Sequence, residues 1–408
     1  MDAQQSTTLA GVFGHVTDPR KARGKRHPWT FIWTIISTAV LCGQRTPHAM
    51  AHWAHLHAAE LVRCLQPARP TVPSEATIRR ALRHIDLAEL EHQLSLFTPV
   101  PLPLAAGPAQ PTGDPAAATA PPVAAGPAAV QAAPGGAPLR GQAVDGKAVR
   151  GAGMHGPRPH LVSLVAHDSA RVLAQRAVVD KRHESSAVGP LLQGRDLTGS
   201  ITTMDAGLTQ RKLALQILAQ NGHYLMVVKR NQRQLYDELA LFFQSPPLPC
   251  EAPWRVVETV TKGHGRLETR RLTCTADLDA YLTWPGVRQV LRRECERIML
   301  KTGEVSRSVT YGLTSVAVDE ALPAEVERFW RGHWTIENRV HYVRDVSLGE
   351  DAGQAAKGST PQALAAVRNG VLALLRWAGW TNVADALRTY AASLPAALTL
   401  IGATPGRL

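Results

Sequence analysis

Aromatic residues make up only 5% of the 408-residue chain, and cysteine occurs five times. Those cysteines (Cys42, Cys64, Cys250, Cys274 and Cys295) are odd in number, scattered, and never spaced as CxxC. The pattern argues against a disulfide framework and a zinc finger, and suits a reducing cytoplasm. Long apolar runs are lacking as well. The most apolar stretch, WTFIWTIISTAVLC at 29–42, is too short to span a bilayer and reads as a buried helix. The opening MDAQQSTTLAGVF has no basic segment leading into an apolar one, so no signal peptide is expected. No solenoid-type repeat is present. Acidic residues are in deficit, 33 Asp and Glu against 45 Lys and Arg, for a formal net charge of +12. The resulting pI of about 9.9 makes a polyanionic partner the leading expectation if other features agree.

What is present is enough apolar residue, 45% hydrophobic against 19% charged, for two or three globular domains. Residues 1–99 read as a helical N-terminal domain. It holds a basic entry (DPRKARGKRHPW), the apolar run, then HAMAHWAHLHAAELVRCL, and after a Pro-containing break VPSEATIRRALRHIDLAELEHQL. In that last segment Ser74 stands as N-cap, Ile78, Leu82 and Ile85 share a face, and Arg79, Arg80 and Arg83 lie off it. Such a pair of helices fits a helix-turn-helix placing Arg79 and Arg83 on DNA, and equally an ordinary helical domain with a solvated basic face. From 100 to 138 the chain is almost pure Ala, Pro and Gly, a linker and domain boundary.

Residues 139–380 change rhythm. LRGQAVDGKAVRG, HLVSLVAHD and RVLAQRAVV read as strands, the last two split by the turn signal Asp168-Ser169. A buried strand SITTMDAG, a helix TQRKLALQILAQNG, a strand HYLMVVK and a helix NQRQLYDELALFF capped by Asn231 follow. Residues of about 245–310 are strand-rich, with Lys301-Thr302-Gly303-Glu304 as a hairpin turn, and form an insertion before YGLTS resumes the parent fold. A helix covers 361–379, and 381–408 is read as a C-terminal tail.

Three acids stand out. Asp145 (QAVDGKAV) and Asp205 (ITTMDAG) both end apolar strands, where a charge has no packing rationale and an unpaired buried carboxylate is costly. Each taken singly is also a common way to begin a turn. Side by side the two carboxylates repel, which a divalent cation relieves. Mg²⁺ takes oxygen ligands and is shared with substrate phosphate, and a pair of such ions about 4 Å apart serves phosphodiester cleavage. The third acid lies in HWTIENRVHYVRDV, where His333, Glu337, His341 and Arg344 fall at i, i+4, i+8 and i+11 on one side of a helix. Ile336, Val340 and Val343 form the adjoining core stripe. Glu337 would complete the metal site, Arg344 would clamp a phosphate, and His333 and His341 would do likewise or touch DNA bases.

The segments AVDGKAVRG, TMDAGLTQRKLALQILAQNGHYLMVVKRNQ, KGHGRLETR and RGHWTIENRVHYVRDVSLGED resemble the signature blocks of DDE transposases from bacterial insertion sequences, in the group of H-repeat-associated proteins. The N-terminal segment resembles that group's accessory domain. The resemblance implies an α/β, ribonuclease H-like catalytic domain with a β-rich insertion between the second and third acids, preceded by a small all-helical domain. It further implies a metal triad of Asp145, Asp205 and Glu337 using Mg²⁺ or Mn²⁺, two ions in all. Double-stranded DNA would be the partner, as element ends and target, with a homo-oligomer on DNA and a location on the bacterial nucleoid rather than a membrane. Lys147 and Lys229 match basic positions of the group and are expected at DNA. A tyrosine and an arginine that precede the glutamate in related enzymes are replaced here by Trp330 and His333. Trp254 and Trp284 in the insertion read as core, or as stacking partners for an extruded base.

Two other readings stay in view: a non-catalytic DNA-binding protein derived from such an enzyme, and a nuclease of the same fold. A zinc hydrolase is disfavoured because Glu337 lies midway between His333 and His341, unlike HExxH.

Overall fold

The alternating segments after the linker become strands β1 (Arg140–Ala148), β2 (His160–Ala166), β3 (Val172–Val178), β4 (Ser200–Met204) and β5 (His223–Val228). The insertion supplies β6 (Arg255–Gly263), β7 (Arg266–Thr275), β8 (Gln289–Met299) and β9 (Val305–Thr314). In the computed structural model, which describes residues 6–99, 138–152, 159–246, 254–278, 281–353 and 357–403, these form one nine-stranded sheet. Its order is β3-β2-β1-β4-β5-β9-β8-β7-β6. β1, β2 and β3 are antiparallel, while β1, β4 and β5 run parallel. That is the ribonuclease H-like arrangement. The Ala/Pro/Gly-rich stretch lies outside the described residues except for Pro138.

The insertion extends the parent sheet. The last residues of β9, Tyr311–Thr314, pair with β5, and the whole strand pairs with β8. Both of its hairpins turn on left-handed residues, His264 and Gly265 in one and Gly303 in the other, as tight hairpins require. Trp284 is buried and Trp254 is packed against the same core, with Phe242 and Phe243 around it.

Strand alternation sorts side chains to the two faces. Val144, Val162, Leu164 and Met204 join one core with Val188 and Leu191 of a helix over Glu184–Leu192 and Leu213 and Ile217 of a helix over Arg211–Ala219. On the opposite face, Ala143 and Val165 meet Ile336 and Val340. Beside them Ile201, Leu225, Leu272 and Leu291 meet Phe329 and Trp330. The helix over Arg233–Gln244 begins without a side-chain cap, and Asn231, expected to cap it, donates to the Ala206 carbonyl at 2.7 Å.

The helical unit differs from its sequence reading in extent. Trp29–Leu41 is buried on all sides, so it needs neighbours all round. Some come from the N-terminal helices, including Pro47–Leu56, Glu75–His84 and Leu87–Leu96. The others come from the far end of the chain: Thr360–Trp377, Val383–Ala392 and Leu394–Ile401. Residues expected to be a tail are therefore two helices of this core. Helices Ala58–Leu65 and Glu75–His84 are separated by residues 66–74, longer than the three to four residues of a helix-turn-helix turn. Among the described residues no helix is long and apolar enough to cross a membrane.

Candidate active site

The β1–β4 pairing brings the first acids together, but only Asp205 ends its strand, because β1 runs on past Asp145 to Ala148 against β2. β1 and β4 run parallel with Val144 opposite Met204, so Asp145 and Asp205 come next on neighbouring strands. Asp205 starts a turn, its carboxylate accepting from Leu208 N–H at 3.0 Å and its carbonyl from the Thr209 hydroxyl at 3.0 Å. The turn-forming role and the position at the end of a central strand coexist in one residue.

The third acid sits on an irregular helix. Pro323–Gly332 is an ordinary α-helix whose Glu325 caps its own start by accepting from Leu322 N–H at 3.0 Å. Beyond it, Ile336–His341 is a π-helix in which Tyr342 N–H reaches the Glu337 carbonyl, and a short α-helix Tyr342–Val346 follows. The wider turn takes residues four apart off a common face. The expected column of His333, Glu337, His341 and Arg344 is therefore split. Glu337 faces outward with Asn338 and Arg339, while His341 and Arg344 are buried.

The two histidines lie under the acids. His341 Nδ1 is 3.5 Å from Asp145 Oδ2. His333 Nδ1 lies 3.0 Å from Thr203 Oγ1, which His167 Nε2 also approaches at 3.1 Å. The Thr203 hydroxyl donates to the Gln142 carbonyl at 3.1 Å. With that proton so placed, both rings must donate N–H to the Thr203 oxygen. Nε2 of His333 and Nε2 of His341 are buried with no hydrogen-bond partner among the described residues. His167, Thr203 and Gln142 were not singled out from the sequence. Their only signal was position, since Thr203 and Gln142 precede the two aspartates on the same strands.

Charge follows this geometry. Partial burial raises the carboxyl of the otherwise exposed Glu337, and the charges of Asp145 and Asp205 raise it further against the opposing pull of Lys229. Burial also works to raise Asp145, but the hydrogen bond from His341 and the nearby imidazoles hold it below its ordinary range. His333 and His341 are both pushed down, chiefly by burial. Burial and the charges of His333 and Arg328 push His167 down to about 3. Among the described residues no group of three or more His, Cys, Asp or Glu side chains is gathered tightly enough to hold a metal ion as they stand.

The expected phosphate contacts divide. Lys229 is exposed beyond β5, on the side of Glu337. Arg79 is half-exposed and paired with Glu75 at 2.6 Å, and Arg83 is exposed, with its stem against Gly358. Arg344 is turned inward. It is 0% exposed and makes a two-pronged pair with Glu350 at 2.7 and 3.0 Å. Lys147 is likewise buried, its ammonium between Asp345, Glu350 and Asp351 at 2.6, 3.1 and 3.6 Å. Neither presents its charge to a phosphate here, because burying an unpaired cation is far costlier than pairing it.

Residues 136–367 match the family model described as Transposase DDE domain, and residues 10–98 match the one described as DDE_Tnp_1-associated. YncI of Escherichia coli O157:H7, whose name marks it as a candidate transposase, is 28% identical over 249 residues, covering 57% of this chain and 61% of that protein. YhhI of Escherichia coli strain K12, described as an H repeat-associated candidate transposase, is 27% identical over 247 residues, covering 57% and 63%. The matches thus span less than two thirds of these relatives' length. A piggyBac transposase synaptic complex with hairpin DNA aligns with 98% of this chain and 79% of its own at 8% identity and TM-score 0.46, too slight a likeness to argue from. On the strength of the family model over 136–367, the chain belongs to the DDE transposase family, with the H repeat-associated proteins.

Proposed function

We propose that this protein is a transposase that cuts DNA at its element's ends and joins the freed 3′-hydroxyl to a target, with Asp145, Asp205 and Glu337 as the acids of the reaction centre. The observation that carries the reading is the parallel β1–β4 pairing with Val144 opposite Met204, which makes Asp145 and Asp205 neighbours, and both raise the Glu337 carboxyl. Two aspartates on neighbouring strands, both raising the carboxyl of a facing helix, make a negative cluster that a divalent cation neutralises. The donor set is all oxygen and suits Mg²⁺ or Mn²⁺, so these three residues would hold the metal. Bound there, the metal supplies Lewis acidity for phosphodiester cleavage and strand transfer.

The chain's own contribution is positioning and field. His341 holds the Asp145 carboxylate from beneath, and Lys229 offers a cation to the DNA backbone beside Glu337. Arg79 and Arg83 offer further backbone contacts on the helical unit, and the net charge of +12 favours approach to DNA. The histidines would support the acids rather than read bases, since His341 is buried and His333 is bonded to Thr203.

The test compares wild type with Glu337→Gln for Mg²⁺- or Mn²⁺-dependent cleavage of DNA carrying the element's ends, at matched DNA occupancy. The expected result is cleavage lost with binding retained. Equal cleavage by both would remove Glu337 from the reaction, and binding without cleavage by either would favour a non-catalytic DNA-binding protein.

A further inference from the structure

Between the strand of Asp145 and the turn of Glu337 lies a buried ion network. Its centre is Glu350, which receives Arg344 from the catalytic helix, Lys147 from β1 and Arg368 from the helix over Thr360–Trp377. Asp345 and Asp351 complete the ring around Lys147, and Asp351 also accepts from the Arg150 backbone N–H at 3.2 Å. Three cations (Lys147, Arg344, Arg368) face three anions (Asp345, Glu350, Asp351), so the network carries no net charge of its own. The backbones approach closely as well: a methyl on Gly151 would collide with the carbonyls of Gly353 and Glu350.

Besides Arg368, which already belongs to the helical unit, the network reaches that unit's N-terminal helices through one amide. Gln175 of β3 accepts from Arg344 Nη1 and from Asn369 Nδ2, each at 3.0 Å. Its own Nε2 donates to Glu91 of helix Leu87–Leu96 at 2.8 Å. A displacement of that helix therefore loads a side chain bonded to the catalytic helix. Lys147 stands two residues from Asp145, and Arg344 seven from Glu337.

We propose that Lys147, Arg344 and Glu350 are positioning residues, which hold the strand of Asp145 in register with the turn of Glu337 and, through Gln175, tie that register to the seating of the helical unit. This rests on the reading of Asp145, Asp205 and Glu337 as the reacting acids. Arg344 and Lys147 then act without touching DNA, and that separates them from a phosphate clamp by experiment.

The measurements use the full chain: DNA affinity across a salt series, kcat and KM for cleavage of DNA bearing the element's ends, and Mn²⁺ binding without DNA followed by the resonance of the free ion. The variants are Arg344→Gln and Asp345→Asn. Asp345 is acidic and its side chain about 30% exposed, so its change is the milder one and guards against a misfolded Arg344→Gln. For both we expect unchanged DNA affinity and salt slope, kcat lower by about tenfold or more at little-changed KM, and Mn²⁺ affinity reduced by a similar factor. A salt slope shallower by about one in Arg344→Gln would mark a lost phosphate contact and overturn the proposal. Wild-type cleavage and Mn²⁺ binding in Asp345→Asn would overturn it too. A wild-type chain that neither binds Mn²⁺ nor cuts DNA would instead remove the reading beneath it, and the proposal with it.

Discussion

His341 Nδ1 lies 3.5 Å from Asp145 Oδ2, joining the first strand of the sheet to the turn that carries Glu337. The contact exists because the π-helix directs His341 inward while Glu337, four residues earlier, stays exposed. A regular α-helix would have placed both on one face. The irregular turn thus divides two tasks that a straight helix would merge, one residue supporting an acid and another supplying one.

Gly146 follows Asp145 and points to the other face of the sheet. A methyl there would collide with Glu184 Oε1 and His160 Nε2, which are hydrogen-bonded to each other in a largely buried site. We predict that Gly146→Ala destabilises the chain by about 1–3 kcal/mol and lowers cleavage along with it, since the strand must shift beside Asp145. Urea unfolding of wild type and variant gives the first number, and an unchanged midpoint would show that the dyad yields without strain.

Glu91 predicts a pH dependence. Burial pushes its carboxyl up to about 8, against the hydrogen bond from Gln175 and the charge of Arg344. A carboxyl with a folded pKa above its unfolded value binds its proton more tightly when folded. Its contribution to stability is complete below the unfolded value of about 4.5 and is lost as pH rises through about 8. Thermal unfolding between pH 6 and 9 should therefore show a fall in Tm that Glu91→Gln removes. A fall of the same size in Glu91→Gln would assign it to another group.

Lys229 is exposed beside Glu337 and supplies the clearest phosphate test. Lys229→Met should weaken DNA binding alike across sequences and make the dependence of log K on log salt shallower by about one. An unchanged slope would show that the backbone of bound DNA passes elsewhere.

Much of the site was legible before the fold was known. Strand alternation, the turn signal after Asp205, and the apolar stripe of Ile336 and Val340 are local patterns, and local sterics and burial set them; the like signal after Asp145 misled, because β1 runs on to Ala148. Less was legible where partners come from afar. Arg344 read as a phosphate clamp because its spacing from Glu337 is helical, and the sequence offers no sign that Glu350, Gln175 and Asn369 enclose it. The tail at 381–408 became two core helices for a like reason. The all-round apolarity of Trp29–Leu41 called for cover on every side but did not say from which end of the chain it would come.

By itself the sequence determined the strands and most helices, the basic balance and the family, because these depend on residue type and near-neighbour spacing. The tertiary structure alone decided which charges stay open to solvent and which are paired in the interior, since a cation's role depends on whether an anion waits for it in the folded chain. Lys147 and Lys229 carry the same charge, and only the first is enclosed by Asp345, Glu350 and Asp351.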